Sequence, residues 1–134
     1  RVPQCRGLID QSVENGVGFI SFSQLQQGLL TGRYLNGVPA DSRMAKGIFL
    51  KEEMLTPTLL NALNGLNDLA ARRGQSLAQM ALSWLLNDAR VTSVIIGASS
   101  VSQLEDNLQC LGAPAFTSDE LSLIEQLSEP IQLR

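Results

Sequence analysis

The chain has 134 residues, a formal net charge of −3, no histidine and an isoelectric point near 4.8. Apolar residues make up 44% and charged residues 17%, an ordinary balance for one globular domain with a sizeable core. The acidic balance offers no basic stripe to a nucleic-acid backbone, no apolar run approaches the length of a membrane span, and the lack of histidine removes the commonest general base and metal ligand.

Cys5 and Cys110 stand far apart without metal-type spacing and read as two buried thiols of a reducing cytoplasm. No segment has the pattern of a signal peptide. The chain begins with Arg1 rather than Met, which fits a piece of a longer polypeptide. In "CRGLIDQSVENG" the residues Leu8, Ile9 and Val13 share a helical face, and Gly16 is a natural stop. "VGFISFS", Val17 to Ser23, reads as a short buried strand. The Gly-rich stretch "QLQQGLLTGRYLNGVPADSRMAKG" reads as irregular and is long for a plain connector. Thr56 and Pro57 read as N-cap and first residue of a helix with Leu59, Leu63, Leu66 and Ala70 on one face and Gly74 after its end. Ser76 with Gln79 fits a capping box that opens "LAQMALSWLLND", where Met80 and Trp84 read as core. Val91 to Ile96 is the second strand. Ser100 with Gln103 reads as another capping box, before an apolar face of Val101, Leu104, Leu108 and Leu111 that Gly112 closes. Thr117 with Glu120 opens a last helix through Leu121, Ile124 and Leu127. Glu52, Glu53 and Asp41 have no acid–base partner in sequence and read as surface.

Strands alternating with helices imply a parallel sheet with right-handed crossovers. Two strands alone make a marginal sheet, and both read as buried on two faces. The pattern therefore suggests an incomplete α/β sheet whose remaining strands come from a longer chain or from a partner.

The motifs "FSQLQQGLLTGRY" and "VIIGASSVSQLEDNL" resemble the last two strand-to-helix junctions of the aldo-keto reductases, and "NGVPADSRM" and "RRGQSLAQMALSWLLND" resemble the same family. The branch is the one that holds bacterial L-glyceraldehyde 3-phosphate reductases and the β subunits of voltage-gated potassium channels. The resemblance runs from about Leu8 to Leu127. It implies an α/β fold in which residues 1–134 are the C-terminal segment of a (β/α)8 TIM barrel, supplying strands 7 and 8 with their helices and incomplete on its own. Phosphate sites in such barrels often lie in the loops after strands 7 and 8, beside a helix N-terminus.

By the resemblance, Gly97, Ser99 and Ser100 would line the cofactor, and Gln103, Asp106 and Asn107 would face its adenosine end. Asp106 stands where the family usually has Glu, and Ser100 where close relatives carry Arg. Phe22 would place its ring against the nicotinamide. Ser23, Gln24, Leu25 and Gly28 would wrap the pyrophosphate, with Gln24 in place of the expected Pro and a less rigid loop as the consequence. Arg33 would add positive charge, and Arg43 matches a family Arg near the 2′-phosphate. The implied cofactor is NADP(H) and the implied substrate a small-molecule carbonyl, reduced by hydride transfer; glyceraldehyde 3-phosphate and methylglyoxal are examples. The family's catalytic Tyr, Lys, Asp and His match no position in this chain. Tyr34, the sole tyrosine, is not that Tyr. A homo-oligomer in the cytoplasm is expected, with no nucleic acid and no membrane insertion. The alternatives left open are an NADP-binding regulatory subunit, as the channel β subunits suggest, and an inactive fragment.

Overall fold

The computed structural model describes residues 7–35, 37–38 and 52–131. Cys5, Asp41 and Arg43 lie outside them, as does nearly all of the "NGVPADSRM" stretch. Helix α1 spans Leu8–Glu14 and leads through Gly16, at φ 66°, into strand β1, Phe19–Phe22. Only Ile9 of α1 is buried, whereas Leu8 and Val13 on its expected inner face are about half exposed. β1 is shorter than the apolar run because its two ends have other commitments. The Val17 N–H donates to Ser12 O at 2.8 Å, and Ser23 turns to φ 59°.

The stretch after β1 is more regular than its composition suggests, with a 3-10 helix at Gln26–Thr31. Helix α2 spans Pro57–Arg72, α3 spans Leu77–Leu86, β2 spans Val91–Ile95, α4 spans Val101–Leu108 and α5 spans Ser118–Ser128. Further 3-10 helices cover Glu52–Met54 and Gln109–Gly112. Thr56 caps α2 by accepting from Leu59 N–H, with Pro57 in its first turn. The boxes Ser76–Gln79 on α3 and Thr117–Glu120 on α5 are both closed in both directions.

β1 and β2 pair in parallel, Phe19 with Val91, then Ile20 with Ser93, through to Phe22 with Ile95. The step skips Thr92, and that residue's hydroxyl accepts the Phe19 N–H at 3.0 Å. Gly18 makes room for it, because a Cβ there would meet Thr92 Oγ1 at 3.1 Å. Among the described residues the sheet has two strands. Its apolar side chains are not buried as the sequence implies: Ile20, Phe22 and Ile95 are 55%, 74% and 61% exposed.

The core lies among the helices. Leu66, Leu69, Ala70, Leu77, Met80 and Ile124 form one cluster, with Trp84, Phe116 and Leu127 packed on it. Leu29, Tyr34, Leu59 and Leu63 form a second. α2 meets α5 at Gly65, where a Cβ would come within 2.9 Å of Leu127 Cδ2. Arg73, at the end of α2, has its side chain 3% exposed and ties that end to the start of α5 and the segment before it. It stacks 3.8 Å from the Phe116 ring centroid and donates to Gln75 Oε1 (2.9 Å), Pro114 O (2.6 Å) and Glu120 Oε2 (2.6 Å). Arg90 joins Asp10 of α1 to Asp88 at the entry to β2. Cys110 is buried, and burial pushes its thiol pKa up.

The expected apolar face of α4 is the main departure. Val101, Leu104, Leu108 and Leu111 are 73%, 40%, 48% and 71% exposed. The helix also ends at Leu108, and a 3-10 turn carries Leu111 to Gly112. The buried residues on this segment are Asn107 and Cys110 instead, because they face α3.

Candidate functional site

A parallel pair sends both chains out of the sheet at the same end. Since Phe22 stands beside Ile95, the turn that begins at Ser23 and the turn that begins after Ile95 start as neighbours. Here two loops and one helix N-terminus converge.

The first turn is tightly formed. Ser23 and Gln26 both adopt left-handed backbone conformations, φ 59° and 47°, which are uncommon for residues with a side chain. Gln24 is 9% exposed, and its Nε2 donates to Ser21 O at 2.5 Å. The Gln in place of Pro therefore does not leave the turn loose; its amide staples the turn back to β1. Leu25 opens the 3-10 helix and is half-buried, and Gly28 takes φ 101°, where a Cβ would lie 3.6 Å from the Tyr34 ring. Arg33 is exposed one residue beyond Gly32. Phe22 offers its ring to the outside at the strand's end. Tyr34 is 1% exposed among Leu29, Leu59 and Leu63, a core position.

The second turn carries Gly97, Ser99 and Ser100 to α4. Ser100 caps the helix through its hydroxyl, which accepts from Gln103 N–H at 3.1 Å. Gln103 does not close the box on Ser100. Its Oε1 accepts instead from Ser99 N–H (2.7 Å) and Ser99 Oγ (3.0 Å). The Ser100 N–H is thus left without the box partner that α3 and α5 supply, and the N–H groups of Val101 and Ser102 have no intrahelical acceptor by helix geometry. The first turn of α4 carries no acidic residue. These amides and the helix dipole together favour an anion. Gly97 adds a second feature: its backbone is not left-handed and a Cβ on it would meet nothing within 4 Å. Neither conformation nor internal packing requires glycine there, and the space before it is open to a close-approaching ligand.

The structure divides the remaining α4 residues. Asp106 is exposed and accepts from Gln79 Nε2 at 2.8 Å through Oδ1, and at 3.0 Å through its main-chain oxygen. Asn107 is 2% exposed, and its Nδ2 has no hydrogen-bond partner among the described residues. A buried amide left unpaired is costly, and this one stands one turn beyond Gln103. Ser23–Gly28, Gly97–Ser100 and Gln103 therefore gather at one end of the sheet, while Asp106 and Asn107 lie further along α4, toward α3. Gln79 is a participant that sequence patterning assigns only to capping.

Residues 3–129 match the Aldo/keto reductase family. The sequence is 56% identical over 124 residues to L-glyceraldehyde 3-phosphate reductase of Escherichia coli O157:H7, covering 90% of this chain and 36% of that protein. It is 38% identical over 114 residues to a probable voltage-gated potassium channel subunit beta of Oryza sativa, covering 82% of this chain and 35% of that one. The glycerol dehydrogenase AKR11B4 of Gluconobacter oxydans superposes with a TM-score of 0.70 at 19% identity, over 94% of this chain and 39% of its own. The chain thus spans a little over a third of the length of the relatives it matches.

Proposed function

Because the chain belongs to the aldo/keto reductase family, we propose that its two convergent turns and the start of α4 are the NADP(H)-holding part of a reductase acting on an aldehyde or ketone. On this reading the chain is the C-terminal segment of a (β/α)8 barrel and supplies its last two strand–turn–helix units. The observation that carries the proposal is the parallel register that starts the Ser23 turn and the turn after Ile95 side by side, the second of which leads through Gly97, where a Cβ would meet nothing within 4 Å, to the N-terminus of α4.

The residues have separable roles. The amides of Ser100, Val101 and Ser102 and the Ser99 hydroxyl hold phosphate oxygens. Ser23, Gln24, Leu25 and Gly28 form the opposing wall. Phe22 presents its exposed ring to the nicotinamide, and Gln103 fixes Ser99 from below. Asp106 and the unpaired Asn107 amide serve the adenosine end, Arg33 adds positive charge, and Arg43 favours the 2′-phosphate through a bidentate guanidinium contact. The bound nicotinamide supplies the hydride. On this reading proton transfer belongs to the rest of the polypeptide, because the family's catalytic Tyr, Lys, Asp and His match no position here; the sole tyrosine, Tyr34, is a core residue. The 56% identical relative favours glyceraldehyde 3-phosphate as substrate, with methylglyoxal a second carbonyl to try, and the working form is a cytoplasmic homo-oligomer.

The test is fluorescence titration of the full-length polypeptide with NADPH and NADH. Gly97→Val should leave the fold unchanged and abolish binding of both. Arg43→Ala should weaken NADPH more than NADH. Unchanged NADPH affinity in Gly97→Val overturns the site. The similarity to the probable channel subunit favours one other reading, a regulatory subunit that binds NADP(H) as a sensor. Cofactor binding without turnover of any tested aldehyde would select it.

A further inference from the structure

Gln79 does two things with one side chain. Its Oε1 accepts from Ser76 N–H at 2.9 Å and so closes the capping box of α3. Its Nε2 reaches across to α4 and donates to Asp106 Oδ1 at 2.8 Å and Asp106 O at 3.0 Å. Capping needs only the first contact, and Glu performs it as well as Gln; the box on α5 indeed uses Glu120. A Glu at position 79 would instead aim a second carboxylate oxygen at Asp106. The amide is therefore explained by Asp106, not by the cap. Asp106 is exposed, and an exposed, untethered Asp samples several rotamers. Held through one oxygen, it keeps the other in a fixed place as an acceptor for a ligand donor.

We propose that Gln79 is a positioning residue of the nucleotide site, fixing the Asp106 carboxylate as an acceptor for a hydroxyl or amino group at the adenosine end of the dinucleotide. The inference rests on the reading of α4 as a nucleotide-holding helix. A charge-assisted hydrogen bond contributes enough that its loss reads as about a tenfold change in affinity.

The experiment uses the full-length polypeptide and four variants: Gln79→Glu, Asp106→Ala, their double mutant, and Ser76→Ala. Gln79→Glu keeps the cap but repels Asp106, whereas Ser76→Ala removes the cap and leaves the Asp106 contact. Gln79→Glu should raise the Kd and KM for NADPH about tenfold with kcat unchanged, as much as Asp106→Ala, and the double mutant should be no worse than Asp106→Ala. Ser76→Ala should lower Tm and leave Kd within about twofold. If Asp106→Ala leaves Kd unchanged, or the wild type does not bind NADPH, the nucleotide reading of α4 fails and the inference with it. If Asp106→Ala weakens binding and Gln79→Glu does not, only the positioning role fails. A ligand-free check covers a misfolded Gln79→Glu: the Gln79 side-chain amide resonances should shift on Asp106→Ala, and their constancy overturns the proposal.

Discussion

Arg73 and Glu120 show how much one ion pair can organise. Glu120 accepts from the Thr117 N–H at 2.8 Å and from Arg73 at 2.6 Å. Both contacts, the backbone one foremost, hold its carboxyl below the ordinary glutamate value. A carboxylate whose folded pKa is lowered stabilises the fold fully above its unfolded pKa, and that stabilisation is lost as pH falls through the folded value. Thermal melts should therefore weaken as pH drops below about 4, and Glu120→Gln should flatten that slope. Asp88, held low by its hydrogen bond to Arg90, leaves a residual slope in the variant. Arg73→Lys keeps the charge but not the fork, so Pro114 O and Gln75 lose their donors; an unfolding free energy lower by roughly 2–3 kcal/mol is expected from denaturant titration. The Thr117–Glu120 cap is legible in sequence, but its link to Arg73 is not, because Arg73 and Glu120 are 47 positions apart. The same holds for Gln79 and Asp106, separated by 27. Asn107 was legible as a site candidate by resemblance, but its burial depends on α3 lying against α4.

At the level of elements, three of the helix starts are legible from neighbouring residues, whereas the Ser100–Gln103 box does not close because Gln103 turns to Ser99. A cap is a matter of four consecutive residues, so Thr56, Ser76 and Thr117 announce their helices without reference to the rest of the fold. The α2 stripe Leu59, Leu63, Leu66, Ala70 is buried as its spacing implies. Strand ends were less legible, because they follow from hydrogen bonds to distant partners, such as Thr92 with Phe19. The 3-10 helix at Gln26–Thr31 carries no apolar period to read. Helix–helix contact is also invisible in a single stripe: Gly65 lies mid-helix, where glycine is unfavourable, and its reason is Leu127 on α5. Gly65→Ala should be near neutral, since the methyl meets only the end of a Leu side chain and helix propensity improves. Gly65→Val should separate α2 from α5 and cost about 1–3 kcal/mol by overpacking, measured as a lowered midpoint in urea without a change in slope.

For the molecule as a whole, the core and the sheet are unequally supported. The helices enclose two clusters of buried side chains, while Ile20, Phe22, Ile95 and the α4 residues Val101 and Leu108 remain open to water. An exposed apolar surface of that extent favours association, and among the described residues no further strand pairs with the outer edges of β1 and β2, the kind of edge that invites pairing with another chain. The 134-residue chain by itself should therefore form oligomers on size-exclusion chromatography or melt broadly, and it should not reduce aldehydes with NADPH. A sharp, reversible and concentration-independent melt from a monomer would refute the incomplete-barrel proposal.

The pairing of β1 with β2 has a consequence in time. The Phe19 N–H reaches its acceptor across 73 positions of chain. Closing a loop of that length costs entropy that grows with the logarithm of its length, and non-local pairings of this kind are slow to form. α2 and α3 are consecutive and meet after a turn of a few residues, so they can assemble long before the strands find each other. In refolding followed by pulsed hydrogen exchange, amides of α2 and α3 should gain protection first, and those of β1 and β2 last. The end of the sheet where Phe22 and Ile95 stand together is then the youngest part of the newly folded chain. Until it forms, the two walls proposed to grip a dinucleotide do not face one another, so a ligand arriving early would meet only half of its binding surface.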